Sequence, residues 1–149
     1  MKRSERLDIV QQAANRTEKE RAERVALAEK HLTEMQQKLA ALEKYRSEYE
    51  VGFAAKAGAG FGAANVRDFQ TFLARLGDAL NQQKDLVAAA RRARDAERDS
   101  WREAAQRAHV VETLTERWQG EEALQANRRD QNMSDELAMQ LRQARERAK

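Results

Sequence analysis

The chain has 149 residues, with 28 Lys and Arg against 25 Asp and Glu, a formal net charge of +3, and neither cysteine nor proline. Charged residues make up 36% and aromatics only 5%, and much of the 41% apolar content is alanine, which buries little surface per residue. A thick hydrophobic core is therefore excluded, as are disulfides, thiolate nucleophiles and cysteine-based metal sites.

The N-terminus, Met1-Lys2-Arg3-Ser4-Glu5-Arg6, begins basic, but Glu5 and Asp8 interrupt it and no apolar stretch of signal-peptide length follows. No segment approaches a membrane span, so a cytoplasmic chain without membrane insertion is expected. Charge is spread evenly along the sequence, and no basic arm points to nucleic acid.

Ala, Glu, Arg, Gln and Lys are strong helix formers, and no proline breaks their runs. The first predicted helix covers about 3–57. Its apolar residues Val25, Ala28, Leu32, Met35, Leu39, Leu42 and Tyr49 recur at the three- and four-residue steps of a heptad seam. Leu7, Val10, Ala14 and Thr17 extend those steps upstream, and Glu18, Arg21 and Arg24 blur the join. Four of the six glycines then fall at Gly52, Gly58, Gly60 and Gly62. They predict a hinge over about 58–64, with helix resuming near Asn65 as N-cap and Asp68 supplying an acidic group to the first turn.

The second predicted helix covers about 65–147. One register runs through Phe69, Leu73, Leu76, Leu80, Gln83, Val87, Ala90, Arg94, Glu97, Trp101, Ala104, Ala108, Val111, Thr115 and Trp118, alternating steps of four and three. Folding the chain back at the glycines sets Leu42 by Leu80, Leu39 near Gln83, Ala28 by Arg94 and Arg21 by Trp101. The expected fold is all-α: a single long antiparallel two-helix coiled coil with a glycine-rich hinge and a longer second helix. That helix outruns its partner near Gly120. Beyond it Leu137, Leu141, Ala144 and Ala148 make an apolar stripe with no intramolecular cover, which suits a partner.

Chemistry is sparse. Gly58-Ala59-Gly60-Phe61-Gly62 lacks the strand and the Lys-Ser/Thr of a phosphate-binding loop and reads as a hinge. His31 and His109 fall roughly 27 Å apart after fold-back, too far to share a metal. The carboxylates each sit beside Lys or Arg at helical spacing, and no pocket is expected to tune one, so neither catalysis nor a cofactor is expected. Arg91, Arg92, Arg94 and Arg98 are interleaved with Asp95, Glu97 and Asp99, the pattern of a solvated salt-bridged face. Trp101 and Trp118 lie on the seam and read as packing residues. Near the hinge, Tyr45 and Phe72 fall beside the seam, with Leu42, Tyr49, Leu76 and Ala79 next to them. This is an aromatic and aliphatic patch suited to docking another protein.

The residues now on the page resemble the FliJ proteins of the bacterial flagellar type III export apparatus. The segments that carry this are Lys2-Arg3-Ser4-Glu5-Arg6-Leu7, Leu42-Glu43-Lys44-Tyr45-Arg46-Ser47-Glu48-Tyr49, Phe69-Gln70-Thr71-Phe72-Leu73 and Ser100-Trp101-Arg102. The most specific is Asn127-Arg128-Arg129-Asp130-Gln131-Asn132-Met133-Ser134-Asp135-Glu136, similar to the family's Arg-x-Asp/Glu-Gln-Lys-x-x-Asp-Glu pattern. Asn132 stands where the family usually has Lys, and Lys38 and Gln83 occupy patch positions where members can carry Gln and His.

The resemblance implies a stalk-like coiled coil that docks in the pore of the hexameric flagellar export ATPase, touches the cytosolic domain of the export gate membrane protein, and escorts flagellar export chaperones. The gate-facing residues are then Leu42, Tyr45, Tyr49, Phe72, Leu76 and Ala79. Those facing the ATPase ring are Arg128, Asp130, Gln131, Asp135, Glu136, Leu137 and Leu141. The equivalent stalk of a virulence injectisome shares this architecture, and a nucleic-acid-binding coiled coil is the alternative of a different class.

Overall fold

A computed structural model describes residues 2–58, 60 and 62–148. It contains two α-helices, α1 (Arg3–Ala57) and α2 (Ala63–Arg147), packed against each other as a two-helix hairpin coiled coil, with no strand among the described residues. The residues fall into two compact units: Lys19–Glu103, which contains the turn, and Met1–Glu18 with Ala104–Lys149, which contains both termini.

The turn depends on one glycine conformation. Gly60 has φ of 90°, in the left-handed region that side-chain-bearing residues avoid, and its N–H donates to the Ala57 carbonyl at 3.2 Å as α1 ends. Helix resumes at Ala63, two residues before the predicted start at 65. The Gly62 carbonyl accepts from the Asn65 N–H at 3.1 Å and from the Val66 N–H at 3.4 Å, so Asn65 lies inside the first turn. Asp68 falls beyond that turn, which holds no acidic residue. Basic residues in the last turns, Lys56 of α1 and Arg145 and Arg147 of α2, complement the helix dipoles.

In the turn-bearing unit the most buried side chains are Leu80 at 3% exposure and Leu32 and Ala90 at 4%. Leu32, Met35, Val87 and Ala90 form the central cluster, with Leu39 packed against it. Polar residues on the seam bond to the facing helix. Gln83, buried, donates its Nε2 to the Met35 carbonyl at 2.9 Å, and Arg21 donates Nη1 to the Ser100 carbonyl at 3.0 Å. A helix carbonyl keeps a second lone pair after its intrahelical bond, so these contacts need no orphaned partner. Arg98 and Glu29 add an ion pair between the helices at 2.6 Å, about half exposed on each side and therefore worth little.

The unit with the termini follows the same logic. Gln11, half-buried, donates to the Ala108 carbonyl at 3.2 Å, and buried Thr115 donates its hydroxyl to Val111 one turn back at 2.8 Å. Val10, expected on the seam, is 48% exposed, and Gln11 occupies the packed position instead.

The paired helices are clasped at the start of α1. Glu122 of α2 accepts from the Ser4 hydroxyl at 2.6 Å and from the Ser4 N–H at 3.3 Å, supplying an acceptor to an N–H that the first turn leaves unpaired. The Glu5 carboxylate accepts from the Lys2 N–H at 3.2 Å, the reaching-back half of a capping box. Arg3 lies 5.0 Å above the Trp118 ring. The Ser4 hydroxyl bond, helped by the Ser4 N–H and the charges of Lys2 and Arg3, holds the Glu122 carboxyl below its ordinary value against the opposing effect of desolvation. Because the folded value is the lower one, the contact contributes fully above the usual carboxylate range and is lost as pH falls through the lowered folded value. Protection of the Ser4 amide, taken by NMR as its exchange rate relative to the intrinsic rate at each pH, should fall on acidification in the wild type and should already be weakened at neutral pH in Glu122→Gln.

Candidate functional site

Aromatic residues cluster where α1 approaches the turn. Tyr45, Tyr49 and Phe53 follow one another at four-residue spacing on α1 and interleave with Phe69 and Phe72 of α2. Tyr45 meets Phe72 edge-on at 6.0 Å, Tyr49 sits 4.2 Å from Phe72 and 5.4 Å from Phe69, and Phe53 stacks on Phe69 at 3.6 Å. An edge-on pair such as Tyr45–Phe72 contributes about 0.5–1.5 kcal/mol beyond area burial.

This arrangement divides the expected patch. Tyr45 is 50% exposed, while Leu42, Tyr49, Phe72 and Ala79 are half-buried. Leu76 is only 6% exposed and belongs to the packing between the helices, so it offers no surface to a partner. Gln83, another patch position by resemblance, is likewise buried at 8%, whereas Lys38 is exposed. Phe53 was not foreseen, although its spacing from Tyr45 and Tyr49 marks it in the sequence.

Tyr45 and Phe72 are thus not equivalent. Tyr45→Ala removes a side chain half in water, and thermal unfolding followed by circular dichroism should shift by about 1 kcal/mol or less. Phe72→Ala removes a ring held between Tyr45 and Tyr49 and should cost about 2–3 kcal/mol, below the range for fully buried phenylalanine. Equal shifts from the two substitutions would contradict this geometry.

The second region is the end of α2. Every described residue from 123 to 148 is exposed, and the helix continues unbroken to Arg147. Leu137 is 57% exposed and Leu141 64%, and Leu124, Met133 and Met139 add apolar surface that the stripe of Leu137, Leu141, Ala144 and Ala148 did not include. Arg128, Asp130, Gln131, Asp135 and Glu136 are all exposed on this same stretch. Pairing with α1 extends to Glu122, two residues past the expected exit at Gly120. Among the described residues no three His, Asp or Glu side chains gather as a metal site, and no helix is long and apolar enough to cross a membrane.

Neither a curated protein nor a solved structure matches the chain. A family model does: the one described as Flagellar FliJ protein matches residues 2–147, which include both helices, the aromatic cluster and the uncovered end of α2. With nearly its whole length matched, the chain belongs to the flagellar FliJ family.

Proposed function

We propose that this component of flagellar protein export is a non-enzymatic stalk that joins export-apparatus proteins in the cytoplasm at the basal body. Its uncovered α2 end docks with the hexameric export ATPase. The aromatic end, through Leu42, Tyr45, Tyr49, Phe72 and Ala79, faces the cytosolic domain of the export gate protein. Export chaperones are bound and handed on by the same chain. The observation that carries this reading is the run of exposed residues from 123 to 148 on a continuing helix, with Leu124, Met133, Leu137, Met139 and Leu141 each more than half exposed.

An isolated amphipathic helix in water is marginal, because most helical stability comes from covering its apolar face. A helix of this composition gains most from a surface that covers the leucines and answers the mixed charges of Arg128, Asp130, Asp135 and Glu136. Hydrogen exchange followed by mass spectrometry tests the assignment. Residues 123–148 should exchange fast in the free chain and slowly with the hexameric export ATPase, while residues 76–90 stay protected in both states. Unchanged exchange over 123–148 on adding the ATPase would remove this segment from the contact.

A further inference from the structure

Beside the aromatic cluster, within the turn-bearing unit, the helices leave a cavity of about 330 Å³. Its apolar wall is Tyr49, Phe53 and Phe69. Gly52 also lines it, and a Cβ added there would meet nothing within 4 Å, so the space next to this glycine is open. Glycine inside a helix is destabilising relative to alanine, and no left-handed φ requires it at position 52. The residue weakens α1 at the place where a side chain would narrow the cavity.

The polar lining has a defined sign. Glu48 of α1 and Asp68 of α2 contribute two carboxylates and Lys56 one ammonium, so the lining itself is net negative. Glu48 also pairs with Lys44, but at 3.9 Å and with both side chains largely in water, a contact that a better-placed cation displaces at little cost. A flat monocation answers both features of the lining, since guanidinium stacks on aromatic rings and forks onto carboxylates, whereas an ammonium is a compact, strongly hydrated charge.

We propose that this cavity receives one arginine side chain from a partner polypeptide. The inference shares only Tyr49 with the gate-facing surface and does not depend on which export protein docks there.

Titrating the full-length chain with N-acetyl-arginine N-methylamide, observed by NMR, tests it directly. The Gly52 amide and the Phe53 and Phe69 ring signals should shift saturably in the millimolar range. The uncharged analogue N-acetyl-norleucine N-methylamide should bind roughly tenfold more weakly, since it keeps the aliphatic contact and lacks the cation. Asp68→Asn should weaken arginine binding several-fold. Gly52→Leu should abolish it while far-UV circular dichroism shows α1 as helical as before, because leucine is a better helix former than the glycine it replaces. Norleucine binding as tightly as arginine, wild-type binding in Gly52→Leu, or no saturable shift would each overturn the proposal.

Discussion

Leu80→Ala should lower the thermal midpoint by roughly 5–10 °C, the largest loss expected from any single truncation on the seam. Leu80 is 3% exposed, the lowest value among the described residues, and it continues the packed register between Leu76 and Gln83. Removing its isobutyl group costs the transfer energy of the lost carbons and leaves a void that two helices cannot fully close. About 2–3 kcal/mol follows, the low end for core leucines, because no side chain among the described residues is completely sealed from solvent. Leu27→Ala is the internal control. It makes the same chemical change on α1, but Leu27 is 68% exposed, so the midpoint should move by less than about 2 °C. If both variants melt alike, burial does not follow the register described above.

That register was legible because the alternation of four and three depends on position rather than residue type. Every position on the α2 seam from Phe69 to Trp118 is buried or half-buried, including Gln83, Arg94 and Glu97, which apolarity alone would have rejected. The structure departs from the expected register at single residues. Val10 continues the three- and four-residue steps upstream, yet it is 48% exposed, and Gln11 packs there by donating to a carbonyl of α2. Asn65 was placed as a cap because asparagine favours caps, yet backbone bonds to Gly62 start the helix before it. Leu76 was assigned both to the seam and to the docking patch, and a side chain 6% exposed serves only the first.

Other features had no local signal. The bonds from Ser4 to Glu122 join residues 118 apart in sequence, and no periodicity marks such a partner. The aromatic cluster was half legible. Its rings were visible as residues near the hinge, but whether a ring is exposed or interleaved depends on how the facing helix presents Phe69 and Phe72. The uncovered end of α2 was the most legible of the candidate surfaces, because a helix longer than its partner must leave a length unpaired.

That length is also where the largest functional effect is expected. Ending the chain at Glu122 removes the exposed stretch and keeps the clasp to Ser4, a cleaner boundary than Gly120, which would delete the Glu122 carboxylate with the rest. Nothing buried is lost, since all described residues beyond Glu122 are exposed. The shortened chain should therefore melt close to the full-length midpoint, though with fewer helical residues in total. The surface proposed to meet the ATPase would be gone, and with it Arg128, Asp130, Gln131, Asp135, Glu136, Leu137 and Leu141.

The most direct measurement is ATP hydrolysis by the purified hexameric flagellar export ATPase with each form of the chain added at equal concentration. The account predicts that the full-length chain stimulates hydrolysis and that the chain ending at Glu122, confirmed as folded by its melt, does not. Equal stimulation by the two would contradict it, because the contact would then lie on the paired helices.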